Sequence, residues 1–303
     1  MDNSKYSGII PAFYACYDND GNINGDMVET LTEYFIAKGV KGLYVGGSSG
    51  ECIYQNVSER KCVLERVMKV AKGKITIIAH VASSNTKDSM ELARHAESLG
   101  VDAISAIPPI YYRVGDEGIR AYWNDISSSA PNTDFIVYNI PQLTGISVSP
   151  ACLKEMTKNP KVIGIKNTSM SVIDMIDFCA VGGEGFAVLN GPDEQLVHGL
   201  LAGACGGIGG TYGVCPELYI AIYNATVSGE LEKALKLQKV ALELIGKLTS
   251  GPSNMYATIK AVLKVRKGLD LGGVRKPLVN VTPSENERIN EIAKFIDQIE
   301  KSL

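Results

Sequence analysis

No CxxC pair occurs among the seven cysteines of this 303-residue chain; they are scattered and odd in number. That pattern argues against a disulfide framework and against a zinc site. Cys16, Cys52, Cys62, Cys152, Cys179, Cys205 and Cys215 read instead as small hydrophobic side chains, mostly buried. Only three histidines are present, and His80, His95 and His198 have no ligand spacing, so no metal is expected. There is no basic surplus: 30 Lys+Arg face 33 Asp+Glu, for a net charge of −3. Such a balance favours neither nucleic acid nor an anionic membrane as a partner. No apolar run approaches the ~18 residues needed to span a bilayer. The N-terminal residues show no basic stretch followed by a long apolar one, so the cytoplasm is the expected compartment. A Walker A sequence is missing too. The glycines from Gly206 fail the G-x-G-x-x-G test, because Tyr212 stands where the last glycine belongs.

What is present is a soluble globular composition, 45% apolar and 21% charged. A unit of helix, glycine and short apolar strand repeats along the chain. Met27 to Ala37 has helical apolar spacing, stops at Gly39 and leads into Gly42-Leu43-Tyr44-Val45. A second helix, with Ser58 as its expected cap, runs through Val63, Leu64, Val67 and Val70 to Gly73, and residues 75–79 follow as a strand. A third ends at Gly100 before the strand 103–107. Further strands are read at 8–11, 135–138, 162–166, 186–189 and, weakly, 206–209. Continuous apolar strands alternating with helices are the mark of parallel βα units. Eight of them predict an α/β fold, a closed TIM (β/α)₈ barrel. An open doubly wound sheet is the competing architecture, but Pro11-Ala12-Phe13-Tyr14 replaces the glycine-rich turn it would carry after its first strand. No linker divides the chain, so a single domain over 1–303 is expected, with the barrel at 1–225. Residues 226–303 form a C-terminal extension of three amphipathic helices, at 231–248, 254–265 and 285–299.

In such a barrel, function gathers at the C-terminal ends of the strands. Lys41, Lys74 and Lys161 precede their strands and fall at the opposite end. Lys166 closes the apolar run Val162-Ile163-Gly164-Ile165 and falls at the functional mouth. An ammonium is costly to bury, and a lysine facing a cleft can lose its proton and act as an amine nucleophile. The same rule brings Ser48-Ser49-Gly50-Glu51, Tyr111-Tyr112, Tyr138 and Asn190-Gly191-Pro192-Asp193-Glu194 to that end. A lysine, phenols and small hydroxyls suit imine chemistry: the amine attacks a ketone, a phenol moves protons, and the hydroxyls and N–H groups of Gly47-Ser48-Ser49 hold a carboxylate. Each residue also has a plain structural role available. Lys166 can simply reach solvent, Tyr138 can pack at the rim, the Gly-Ser run can be a turn, Glu51 can be structural, and Asp193 and Glu194 can start a helix.

Gly42-Leu43-Tyr44-Val45-Gly46-Gly47-Ser48-Ser49-Gly50-Glu51 resembles the glycine-hydroxyl motif of the N-acetylneuraminate lyase and dihydrodipicolinate synthase superfamily. Tyr138-Asn139-Ile140-Pro141 and Gly164-Ile165-Lys166-Asn167-Thr168 resemble its tyrosine and lysine motifs. The resemblance spans nearly the whole chain and implies a class I pyruvate aldolase, usually a homotetramer. It implies Lys166 as the residue that forms an imine with pyruvate, Tyr138 as proton shuttle, and Ser48 and Ser49 as the carboxylate site. Tyr111 would be the tyrosine that a neighbouring subunit lends to the proton relay. No cofactor is implied beyond the covalent imine. Leu143 stands where the lysine-pathway synthases carry an arginine, and a leucine cannot pair with a carboxylate. The lyase branch is therefore the nearer one, and it implies Thr168, Gly191, Asp193 and Glu194 as contacts to a polyhydroxyl sugar acid. Two departures stand out. Pro192 replaces the usual aromatic or apolar residue, and Gly210 occupies the place of a serine that bonds the sugar. The expected reaction is reversible cleavage of N-acetylneuraminate to N-acetylmannosamine and pyruvate. Open alternatives are an aldolase or dehydratase for another 2-keto-3-deoxy sugar acid, 4-hydroxy-tetrahydrodipicolinate synthase, a non-catalytic keto-acid-binding barrel, and a phosphate-binding barrel enzyme using the glycines near Gly206.

Overall fold

The computed structural model describes residues 3–303. In chain order the elements are β1 (Ile9–Pro11), α1 (Gly25–Ala37), β2 (Gly42–Val45), α2 (Val57–Ala71), β3 (Thr76–His80), α3 (Thr86–Leu99), β4 (Ala103–Ala106), α4 (Asp116–Ser128), β5 (Asp134–Asn139), α5 (Pro141–Thr144), α6 (Pro150–Met156), β6 (Val162–Asn167), α7 (Val172–Gly182), β7 (Ala187–Asn190), α8 (Leu196–Leu201), β8 (Gly206–Gly209), α9 (Pro216–Val227), α10 (Leu231–Thr249), α11 (Met255–Lys267) and α12 (Asn286–Ser302). The strands pair in parallel as one sheet of order β1-β8-β7-β6-β5-β4-β3-β2. A parallel bridge from Ala12 to Tyr44 and the bond from Phe13 N–H to Tyr44 O (2.9 Å) bring β1 against β2, so the sheet curls into a nearly closed barrel. The expected (β/α)₈ architecture with a C-terminal helical extension is the one observed.

Two apolar layers hold it. One lies between strands and helices, with Ile104, Trp123, Phe135, Ile165 and Phe178 among its members. The other fills the barrel itself: Ile10, Tyr44, Ile78, Ala103, Ile136, Tyr138, Leu189 and Ile208. Period-2 alternation sends neighbouring strand residues to opposite layers. In β5, Ile136 and Tyr138 point inward while Phe135 and Val137 point to the helices.

Local details refine the sequence reading. The second helix starts earlier than expected: Asn56, not Ser58, caps α2, accepting the Glu59 N–H at 2.9 Å while the Glu59 carboxylate accepts the Asn56 N–H. This reciprocal capping box satisfies two otherwise free donors, which is why the competing serine lies one residue inside the helix. The third strand is shifted to end on His80, and β5 and β6 each run one residue further, onto Asn139 and Asn167. Among the described residues, no helix is long and apolar enough to cross a membrane.

Candidate active site

Lys166 occupies the penultimate position of β6, paired in register with Tyr138 of β5 and Leu189 of β7. Its side chain points into the barrel and is only 5% exposed. The Nζ atom lies 4.1 Å from the centroid of the Tyr138 ring and 4.3 Å from that of Tyr44. Two aromatic faces thus surround an amine that, among the described residues, has no carboxylate in salt-bridge contact. Burial lowers its pKa to about 7, and the negative charge of Asp193 opposes that shift. The outcome is an amine that sheds its proton near neutrality and keeps its nucleophilic lone pair.

A cleft of about 370 Å³ opens above this amine. Its walls include Ser48, Ser49, Tyr138, Lys166, Thr168, Gly191, Pro192, Asp193, Glu194 and Gly210, whereas Gly47, Gly50, Glu51, Asn190, Tyr111 and Tyr112, also read at this end of the barrel, do not line it. Tyr111 instead sits on the β4–α4 loop with 91% of its surface exposed, a left-handed φ of 80°, and its ring edge-on to Tyr112 at 5.1 Å. Leu143, also in the cleft wall, is an exposed apolar side chain where the synthases would present an arginine.

The Tyr138 phenol lies beside the Ser48 and Thr168 hydroxyls, which pull its pKa down against the larger upward push of burial. Thr168 Oγ1 makes no hydrogen bond of ordinary geometry and is buried against Gly191; a Cβ at 191 would come within 2.0 Å of it. Asp193 Oδ2 accepts from the N–H (2.6 Å) and the hydroxyl (2.5 Å) of Thr211. Its other oxygen, Oδ1, is buried without a partner, and it packs where a Cβ at Gly209 would come within 2.1 Å. Burial raises the Asp193 pKa to about 7, against the Thr211 bonds that lower it. A carboxyl with one anchored and one idle oxygen can meet a substrate hydroxyl. Glu194 is exposed at the rim.

Residues beyond the expected set also build the site. Tyr44 supplies the second face around Lys166, and its own hydroxyl donates to Ser105 Oγ at 3.1 Å. His80 packs edge-on to Tyr138 at 6.1 Å, and its Nδ1–H bonds Gly46 O at 2.9 Å. Burial lowers the His80 pKa to about 3, so the ring is neutral there. Tyr256 of α11 lines the cleft and meets Ser49. Behind Tyr138 and Lys166, on the helix side, Asn139 and Asn167 are fully buried and bonded at 2.8 Å; Asn167 O accepts the Gly191 N–H at 2.7 Å. This pair ties the exits of β5, β6 and β7 together. Period-2 alternation could have flagged Tyr44 as inward-facing; nothing local marks Tyr256.

A larger cleft of about 750 Å³ opens beside Arg60, Ser83, Asp88 and Ile110, but it places no amine against a phenol. Cys215, Glu217 and Glu300 have ligand atoms within 4.8 Å of one another, yet Lys38 and Arg266 already pair with the two carboxylates.

The sequence profile of the Dihydrodipicolinate synthetase family matches residues 5–296. The chain belongs to that family. Its N-acetylneuraminate lyase relatives include one from Mediterraneibacter gnavus, 55% identical over 299 residues, covering 99% of this chain and 95% of that protein. Another, from Clostridium perfringens, is 34% identical over 288 residues, covering 95% and 98%. Among solved structures, the wild-type sialic acid aldolase of Ruminococcus gnavus superposes with a TM-score of 0.97 at 55% identity, covering 98% of this chain and 99% of that one. A catalytic lysine mutant of that aldolase gives 0.98 at 54% identity, covering 100% and 99%. As a family member the chain is a lyase, and the expected TIM barrel aldolase architecture is the family's own.

Proposed function

We propose that the chain is a class I aldolase that cleaves N-acetylneuraminate reversibly to N-acetylmannosamine and pyruvate. The observation that carries this is the Lys166 amine, buried at the barrel mouth between the Tyr138 and Tyr44 rings with its pKa near neutrality. Lys166 Nζ attacks the C2 carbonyl, and loss of water leaves a protonated imine. The departing water takes the Tyr138 phenol proton, and the phenolate so formed takes the C4 hydroxyl proton as the C3–C4 pair flows toward the imine, giving the aldehyde product and an enamine. Protonation at C3 and hydrolysis then release pyruvate. The imine is the electron sink, so the chemistry needs no metal or organic cofactor. Ser48 and Ser49 hold the carboxylate. Thr168, Gly191, Asp193 and Glu194 meet the polyhydroxyl chain, and the idle Asp193 Oδ1 suits that role. Tyr111, exposed on its loop, reaches a neighbouring copy's site in a homotetramer. The enzyme works in the cytoplasm.

The test is to incubate the protein with pyruvate and borohydride and weigh it. A mass gain of one reduced pyruvate adduct, absent from Lys166→Ala, is expected; an unchanged mass rejects the aldolase reading. One observation favours a second substrate reading. Gly210 presents no hydroxyl to a sugar, which suits another 2-keto-3-deoxy sugar acid. A substrate panel separates the two, and no detectable cleavage of N-acetylneuraminate favours the second.

A further inference from the structure

The helix α11 lies outside the barrel's eight repeats, yet it touches the turn after β2 twice. Tyr256 and Lys260 are four residues apart and therefore share one face of that helix. The Tyr256 hydroxyl and Ser49 Oγ are hydrogen-bonded at 3.1 Å. Lys260 Nζ donates to Glu51 Oε1 at 2.8 Å and to Gly273 O at 2.7 Å. Glu51 Oε2 accepts the backbone N–H of Arg275 at 2.9 Å. Both members of the ion pair are 2% exposed.

Glu51 also carries a left-handed φ of 55°, a conformation that non-glycine residues rarely adopt. Such a backbone persists only where its surroundings over-determine it. Here the surroundings are the ammonium on one carboxylate oxygen and an N–H on the other. The turn is also pressed onto the barrel, since a Cβ at Gly50 would lie 3.2 Å from Phe13 O. At its opposite end, His80 holds Gly46 O. Ser48 and Ser49 sit between these two anchors.

We propose that Tyr256 and Lys260 are positioning residues: α11 grips residues 48–51 through Ser49 and Glu51, and so sets the hydroxyls and N–H groups that receive a keto-acid carboxylate. This rests on the reading of Ser48 and Ser49 as the carboxylate site. It gives the C-terminal extension a part in substrate capture, beyond covering the barrel. An anion site made of one turn tolerates little rotation, because its donors must converge on two oxygens.

The test compares two carbonyl probes, pyruvate and propanal, which lacks a carboxylate. Each is titrated against the full-length protein with borohydride, and the adduct at Lys166 is quantified by peptide mass. The variants are Tyr256→Phe and the double variant Glu51→Gln/Lys260→Met, which leaves no unpaired buried charge. We expect the pyruvate concentration for half-trapping to rise about threefold in the first and at least about tenfold in the second. Propanal trapping at Lys166 stays within about twofold of wild type, since the amine itself is untouched. An unchanged pyruvate titration overturns the proposal. Parallel weakening with both probes also overturns it, because that is general loosening of the fold. Wild-type protein that traps propanal but not pyruvate overturns the carboxylate reading, and the positioning role falls with it.

Discussion

Lys166 and Lys260 are both buried lysines, and they meet that burial in opposite ways. Lys260 has a carboxylate at 2.8 Å and a carbonyl at 2.7 Å. Lys260 also lies over the Tyr17 ring at 4.8 Å; Lys166 lies between two rings and, among the described residues, has no carboxylate in salt-bridge contact. Burial lowers the pKa of both; at Lys260 Glu51 opposes the shift through charge and a hydrogen bond, whereas at Lys166 only the charge of Asp193 does. The difference is one of saturation. An ammonium with acceptors on its protons is a strut, and one buried without a paired carboxylate is held ready to let a proton go. A lysine inside a fold is thus classified by what its three N–H bonds point at.

The largest expected effect concerns chemistry. Lys166→Ala should reduce N-acetylneuraminate turnover by at least about a thousandfold, measured by pyruvate release. A residual rate near wild type would remove the nucleophile from the contrast altogether. Next comes stability. Lys260→Met should cost about 3–5 kcal/mol in denaturant unfolding, because Glu51 is left buried and unpaired. Lys166→Met should behave in the opposite sense. Below about pH 7 the folded wild type must bury a cation, so the methionine variant is the more stable there, by at least about 1 kcal/mol. Between pH 7 and the ordinary lysine value of 10.5, the unfolded chain binds the extra proton. Wild-type stability therefore rises with pH in that window relative to the variant, and the gap should close. A gap independent of pH would mean that Lys166 is not uncharged in the fold. Imine formation should climb about tenfold per unit below pH 7 and level off above it, read from borohydride trapping rates. The smallest effect is expected from Asp193→Asn. Removing that charge should move the trapping profile to lower pH by less than about one unit, and a move to higher pH would show that Asp193 does not support the protonated amine.

Much of this was legible in the chain because strands are short and alternate strictly. The position of Lys166 at the end of Val162 to Ile165 was enough to place it at the mouth, and Tyr138 fell beside it once β5 and β6 paired in register. The Gly-Ser run was readable as a turn at the same end. Tyr256 and Lys260 were not, since they lie on a helix more than two hundred residues beyond the turn they touch, and helical periodicity says only that one face is buried. The α2 cap differs from the sequence expectation for a simpler reason. Two residues able to cap stood close together, and the return bond from Glu59 favours Asn56. Tyr111 lies exposed on its loop with its ring edge-on to Tyr112, outside the cleft lining.

Lys166 faces the cleft, and its neighbour Asn167 faces the helices and ties three strand exits together. Reactivity and scaffolding are interleaved at consecutive positions of one strand. Such a segment can drift in residue identity, yet a single inserted or deleted residue between Val162 and Lys166 would swap the two faces. Descendants of this chain should vary freely in loop length around the strand while its own length stays constant.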